Sequence, residues 1–149
     1  MKGHAGDAPS RGYLLDTNVV SEARKPRPHP SVQEFLISVS DSHTYISVLT
    51  IGELRKGISK LGADPRAHDI SLWVDGLIEQ YADNILGVDS GIATLWGQLS
   101  ADRSRPMTDT LLAATAIHHQ LTFVTRNIAD FRGLSIRIVN PWESIREPG

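Results

Sequence analysis

Tyr13-Leu14-Leu15-Asp16-Thr17-Asn18-Val19-Val20 is the stretch from which the rest of the chain can be read. Three largely apolar residues run straight into a charge. So short a run, without polar alternation, reads as a strand buried on both faces, the habit of a parallel sheet. Thr17 to Arg24 then reads as a short helix, stopped by Pro26, Pro28 and Pro30. A carboxylate directly after a buried strand needs a reason, because charge is costly to bury unless something compensates it. In open α/β sheets, ligands gather outside the carboxyl ends of the strands, and Asp16 stands at such an end.

Working outward, four more strands are expected: Thr44 to Val48, Ile85 to Val88, Leu121 to Thr125 and Ile136 to Val139. Helical spacing fills the gaps between them. Ser31 is placed to cap a helix through Val32, Phe35, Leu36 and Val39. A second helix carries Leu54, Ile58 and Leu61, and a third starts at Asp64-Pro65 and runs through Ile70, Trp73, Leu77 and Tyr81. Asp89 or Ser90 caps a fourth, and Asp109 to His119 forms an alanine-rich fifth. Strands separated by helices imply an α/β/α sandwich around a short-stranded, mainly parallel sheet.

The chain has 149 residues and is 40% hydrophobic, enough for one compact domain. We expect a polar tail over 1–12, one domain over 13–142 and a C-terminal tail over 143–149. There is no cysteine, which excludes disulfides, zinc–thiolate sites and a cysteine nucleophile. No apolar run is long enough for a membrane span, and Met1 to Gly12 lacks the apolar centre of a secretory signal; a cytoplasmic location is expected. The formal net charge of -2 is unlike a simple cationic nucleic-acid binder, but it is compatible with acids gathered as metal ligands and bases placed elsewhere.

Four acids stand where chemistry would want them. Asp16 ends the first strand and Asp130 follows the fourth. Asp109 starts a helix whose small alanines allow close packing on the sheet. Glu53 lies in the first turns of the helix after the second strand. Singly, each has an ordinary role: Asp16 as a helix cap, Glu53 in a capping box with Thr50, Asp109 at a helix start, Asp130 in a loop. Together they make a repulsive pocket that a cation would neutralise, and oxygen-only ligands favour Mg²⁺ or Mn²⁺ over Zn²⁺. Such a cation among carboxylates suits phosphodiester hydrolysis.

Leu14-Leu15-Asp16-Thr17-Asn18-Val19 resembles the opening motif of PIN-domain proteins. Ser47-Val48-Leu49-Thr50-Ile51-Gly52-Glu53-Leu54 resembles their second motif, Met107-Thr108-Asp109-Thr110-Leu111-Leu112-Ala113-Ala114 their third, and Thr125-Arg126-Asn127-Ile128-Ala129-Asp130-Phe131 their fourth. Asn140-Pro141-Trp142 is similar to the tail of the VapC and FitB-like branch. The four motifs stand in order over Tyr13 to Trp142. The resemblance implies a PIN-like fold and a toxin with metal-dependent endoribonuclease activity, with tRNA or rRNA among its substrates. It implies Asp16, Glu53 and Asp109 around one or two Mg²⁺ or Mn²⁺ ions, with Asp130 or Asn127 completing the site and Asp130 favoured. Thr17, Asn18, Thr125 and Arg126 are supporting residues, Arg126 holding an RNA phosphate or pairing with a site acid. The implied partners are a VapB-like antitoxin, a second copy of the chain, and operator DNA reached only through the antitoxin.

Two other readings compete. An aspartyl-nucleophile phosphatase would use Asp16, but would want a second acid two residues on, where Asn18 stands. A non-catalytic binding module would not need acids at all three firm positions. His118 and His119 are adjacent on a helix, so they cannot form the usual metal-binding pair four residues apart. The bases form local groups (Arg24, Lys25 and Arg27; Arg55, Lys56 and Lys60; Arg103 and Arg105) that read as solvated faces, and Trp73 and Trp96 read as core or interface.

Overall fold

The structure is a computed structural model, described over residues 10–102 and 104–143. Residues 1–9, Arg103 and residues 144–149 lie outside the described residues, and with them most of the two expected tails. Five strands form one parallel sheet: β1 (Tyr13–Leu15), β2 (Thr44–Ser47), β3 (Ile85–Leu86), β4 (Thr122–Val124) and β5 (Ile138–Val139), in the order β3-β2-β1-β4-β5. Six helices connect them: α1 (Thr17–Arg24), α2 (Pro30–Ser38), α3 (Val48–Leu61), α4 (Arg66–Gln80), α5 (Ser90–Ser100) and α6 (Met107–His118).

The strand order sets where a crevice can form. From β1 the chain builds outward through β2 and β3, then returns to the other side for β4 and β5. The reversal falls between β1 and β4, and a crevice opens above the carboxyl ends of strands at such a switch point. Asp16 follows β1 and Thr125 follows β4, so the two face each other across it.

Adjacent residues of β1 serve opposite faces, as the pleat requires. Leu15 packs with Val19, Val20, Val32, Phe35, Ile46, Leu77 and Val124 on one side. Leu14 packs with Leu112, Ala113, Ala116, Phe123 and Phe131 on the other. Ala113, Ala114 and Ala116 are fully buried, so α6 approaches the sheet closely and delivers its first turn, with Asp109, to the switch point.

Local chemistry sets the helix starts. The cap of α2 is His29, whose Nδ1 accepts from the Ser31 N–H, with Pro30 in the first turn; Ser31 was the expected cap. A proline pre-set for helix at the first position moves the start two residues earlier. Ser47 caps α3 through the Leu49 N–H, which places Thr50 and Glu53 inside the helix and dissolves the expected capping box. Asp89 caps α5 through the Ile92 N–H. The expected tail over 1–12 is docked at its end: Arg11 N–H donates to the Gln120 carbonyl at 2.8 Å, and Thr122 N–H to the Gly12 carbonyl at 2.9 Å. Gly12 has φ +150°, and a Cβ there would collide with the His43 carbonyl oxygen, so glycine is required where the chain enters β1.

Candidate active site

Asp16 is the N-cap of α1, and its carboxylate has two jobs. Oδ1 accepts from the Thr17 N–H at 2.7 Å. Oδ2 accepts from the Thr125 hydroxyl at 2.7 Å and from Asn18 Nδ2 at 3.2 Å. Burial is the largest influence on Asp16 and pushes its pKa up. The bonds from Thr125 and Thr17 pull it back, and the charges of Glu53 and Asp109 push it up again. The net direction is upward, so the fold holds this carboxylate at a cost.

Thr125 is the hub on the β4 side and is completely buried. Besides donating to Asp16, its Oγ1 lies 3.1 Å from the Asn127 N–H and 3.4 Å from Asn18 Nδ2. Asn18 also accepts from the Arg126 N–H at 3.4 Å. The residues after β1 and those after β4 are thereby stitched into one wall. Asn127 contributes its backbone to that wall, while Asp130 sits exposed in a 3₁₀ turn (Ile128–Phe131), its N–H bonded to the Asn127 carbonyl.

Glu53 faces the crevice from the second turn of α3. Its Oε1 lies 2.6 Å from Thr17 Oγ1, which in turn lies 3.1 Å from the buried Thr50 hydroxyl. Thr50 went unread in the sequence as part of this chain of hydroxyls; its position three residues before Glu53, on the same helix face, was the signal. Asp109, half-buried, has its pKa raised by burial first, then by the charges of Asp130 and Glu53. The four acids therefore feel one another across the switch point.

Among the described residues Arg126 forms no ion pair with an acid. Its guanidinium lies over the Trp142 ring at 5.0 Å, a cation–π contact that parks it beside the wall. His118 and His119 meet ring-edge to ring-face at 5.0 Å at the far end of α6.

The donor set is oxygen only, which matches a hard divalent cation. Among the described residues, no three His, Asp or Glu side chains are gathered tightly enough to grip an ion.

With this geometry in view, comparison with known proteins is specific. Residues 13–134 match the model of the PIN domain. The chain is 30% identical to Toxin FitB of Neisseria gonorrhoeae, covering 87% of this chain and 97% of that protein. It is 29% identical to the VapC ribonuclease Y4jK of Sinorhizobium fredii, covering 87% and 97%. A solved structure of FitAB bound to a DNA fragment superposes with a TM-score of 0.82 at 27% identity, covering 91% of this chain and 99% of that one. The switch-point crevice, the parallel sheet and these likenesses agree: the chain belongs to the PIN-domain family, among the relatives of the FitB toxin and the VapC ribonucleases.

Proposed function

We propose that this protein is the toxin of a toxin–antitoxin pair and acts as a divalent-metal-dependent endoribonuclease, with Asp16, Glu53, Asp109 and Asp130 as its acids. The observation that carries the reading is the gathering of acids at the switch point, Asp16 at the end of β1 and Glu53 bonded to the neighbouring Thr17; burial first, and then the charges of the other acids, raise the pKa of both Asp16 and Asp109. A fold keeps mutually repelling carboxylates when something else needs them. Bound among them, Mg²⁺ or Mn²⁺ supplies charge neutralisation for the phosphate and acidifies a water. The chain's own residues prepare that place. Thr125 and the Thr17 N–H hold Asp16 ionised and fixed in orientation, Thr17 orients Glu53, and the buried alanines of α6 bring Asp109 up to the crevice. Asn127 and Asp130 close the β4 side, with Asp130 adding charge and Asn127 a backbone brace.

The phosphatase reading is weaker. Both oxygens of Asp16 are engaged by donors, and Asn18 stands where a second acid would be needed. No described helix is long and apolar enough to cross a membrane, and we place the toxin in the cytoplasm.

Because FitAB and VapBC are solved bound to DNA, we assign this chain a VapB-like antitoxin that carries operator binding; the family resemblance motivates a homodimer as its own assembly. An antitoxin arginine would satisfy two carboxylates at once and replace the cation. The test is cleavage of structured RNA with Mg²⁺ or Mn²⁺ and with chelator, beside calorimetric Mn²⁺ titration. Cleavage that survives chelation, or Mn²⁺ binding that survives Asp16→Asn, overturns the metal site.

A further inference from the structure

The basic residues of α3 look alike in sequence, but the structure separates them. Arg55 is tied down: Nη2 bonds Asp75 Oδ1 at 2.6 Å and Nη1 bonds Ser71 Oγ at 3.1 Å, which ties α3 to α4. Lys56 and Lys60 have no ion pair among the described residues. Both line a groove of about 470 Å³ whose other walls include Gly52, Glu53, Gly57 and Thr108. Glu53, Lys56, Gly57 and Lys60 share one helix face, and Thr108 is the neighbour of Asp109. The groove thus includes one of the site acids, Glu53, and runs up α3 past the two ammonium groups of Lys56 and Lys60.

The glycines sharpen the point. Glycine weakens a helix interior. At Gly52 and Gly57 an added Cβ would meet nothing within 4 Å, so internal packing does not require either. Gly76 and Gly97 are equally open, but they do not line this groove. Gly52 just before Glu53 and Gly57 between Lys56 and Lys60 leave bare backbone along the groove, room for another molecule to lie close.

We infer that Lys56 and Lys60 form a phosphate track for single-stranded RNA, holding the backbone on one side of the scissile bond while Gly52 and Gly57 leave the strand its path. The inference rests on the ribonuclease reading and names how that site holds its substrate. By helix rise the track extends roughly 10 Å from Glu53 to Lys60, within reach of the phosphates beside the one being cut. Lysines supply non-specific charge here, so the track sets affinity and register and leaves sequence choice to other surfaces.

The test uses the full chain with Asp16→Asn as a common background, so that bound RNA is not cut. Affinity for a fluorescent single-stranded RNA of about 12 nucleotides is measured against salt. Lys56→Ala with Lys60→Ala should weaken binding about tenfold at low salt and flatten the log–log salt slope by about 1.4, two contacts at about 0.7 each. In the active parent, the same pair should raise KM and leave kcat and Mn²⁺ affinity near normal. Gly57→Leu should also weaken RNA binding while melting no lower than the background, which separates an obstructed path from a damaged fold. An unchanged slope in the double variant, with RNA bound and cleaved by the active parent, overturns the track and leaves the ribonuclease reading standing. Loss of binding to a protein partner with RNA binding intact also overturns it. A parent that neither binds nor cleaves RNA overturns both.

Discussion

Asp16 and Asp89 do the same local job in opposite surroundings. Each caps a helix through its side chain, Asp16 bonding the Thr17 N–H and Asp89 the Ile92 N–H. Asp89 is exposed; its capping bond is the first influence on it, the charges of His118 and His119 assist, and its pKa is lowered. Asp16 is half-buried beside two other acids, and its pKa is raised although it accepts more hydrogen bonds. A cap alone would give Asp16 the behaviour of Asp89. The difference comes from the switch point, where burial first and then the charges of Glu53 and Asp109 disfavour the ionised form of Asp16.

The largest expected effect breaks this symmetry outright. Asp16→Asn keeps a good capping residue but removes the charge, and should lower RNA cleavage about a thousandfold. Asp89→Asn should leave cleavage within about twofold, since it lies away from the crevice. Single-turnover assays with both proteins folded would settle it; equal losses would mean that capping, not charge, matters at Asp16. Around the crevice, Asp130→Asn should cost about tenfold and Asn127→Ala less, because Asn127 braces Thr125 with its backbone, which the substitution keeps.

Thr125→Val comes next and tests how the Asp16 charge is held. Valine keeps the shape and removes the hydroxyl that donates to Oδ2. That bond lowers the pKa of Asp16, so its loss should raise the pKa further and move the acidic limb of the pH–rate profile to higher pH. The expected loss at neutral pH is about tenfold, shrinking as the pH is raised. A pH-independent loss would make Thr125 merely structural.

The four acids were legible as candidates because Asp16 and Asp130 follow strands and Glu53 and Asp109 stand in the first turns of helices, where backbone topology sets their place. Asp16 follows a three-residue strand that only a buried parallel sheet explains. Sheet order was not legible: nothing in Thr122-Phe123-Val124 says that it returns beside β1, since that pairing is fixed by packing over a long sequence separation. Capping was legible by residue type but not always by place. Pro30 moved the α2 start to His29, and Ser47, read as the end of a strand motif, is also the α3 cap. The roles of Thr50, Lys56 and Lys60 depend on which way a helix face turns and on which bases find partners. Arg55 and Lys56 are neighbours in sequence, and only tertiary contacts send one to Asp75 and leave the other in the groove.

The smallest effect is thermodynamic, and the two aspartates should show it with opposite signs. In chelator, a raised pKa means that the folded state binds a proton more readily than the unfolded state. Stability then falls as pH rises from the ordinary aspartate value, 3.8, through the raised one. Asp109→Asn removes one such group, so it should melt slightly above the parent at neutral pH. The gain should shrink as pH falls through the raised value toward 3.8, because the parent's folded Asp109 takes up its proton above 3.8. Asp89 has the reverse linkage. Its lowered pKa stabilises the fold above 3.8, and that stability is lost as pH falls through the folded-state value. Asp89→Asn should therefore melt slightly below the parent at neutral pH and match it in acid. Adding Mn²⁺ gives the deciding comparison. The parent should gain stability from an ion that binds only its folded state, erasing or reversing the advantage of Asp109→Asn, while the Asp89→Asn difference stays where it was. If Asp109→Asn melts below the parent in chelator at neutral pH, the four acids do not repel one another as the geometry requires, and the argument from stored repulsion to a cation site fails with it.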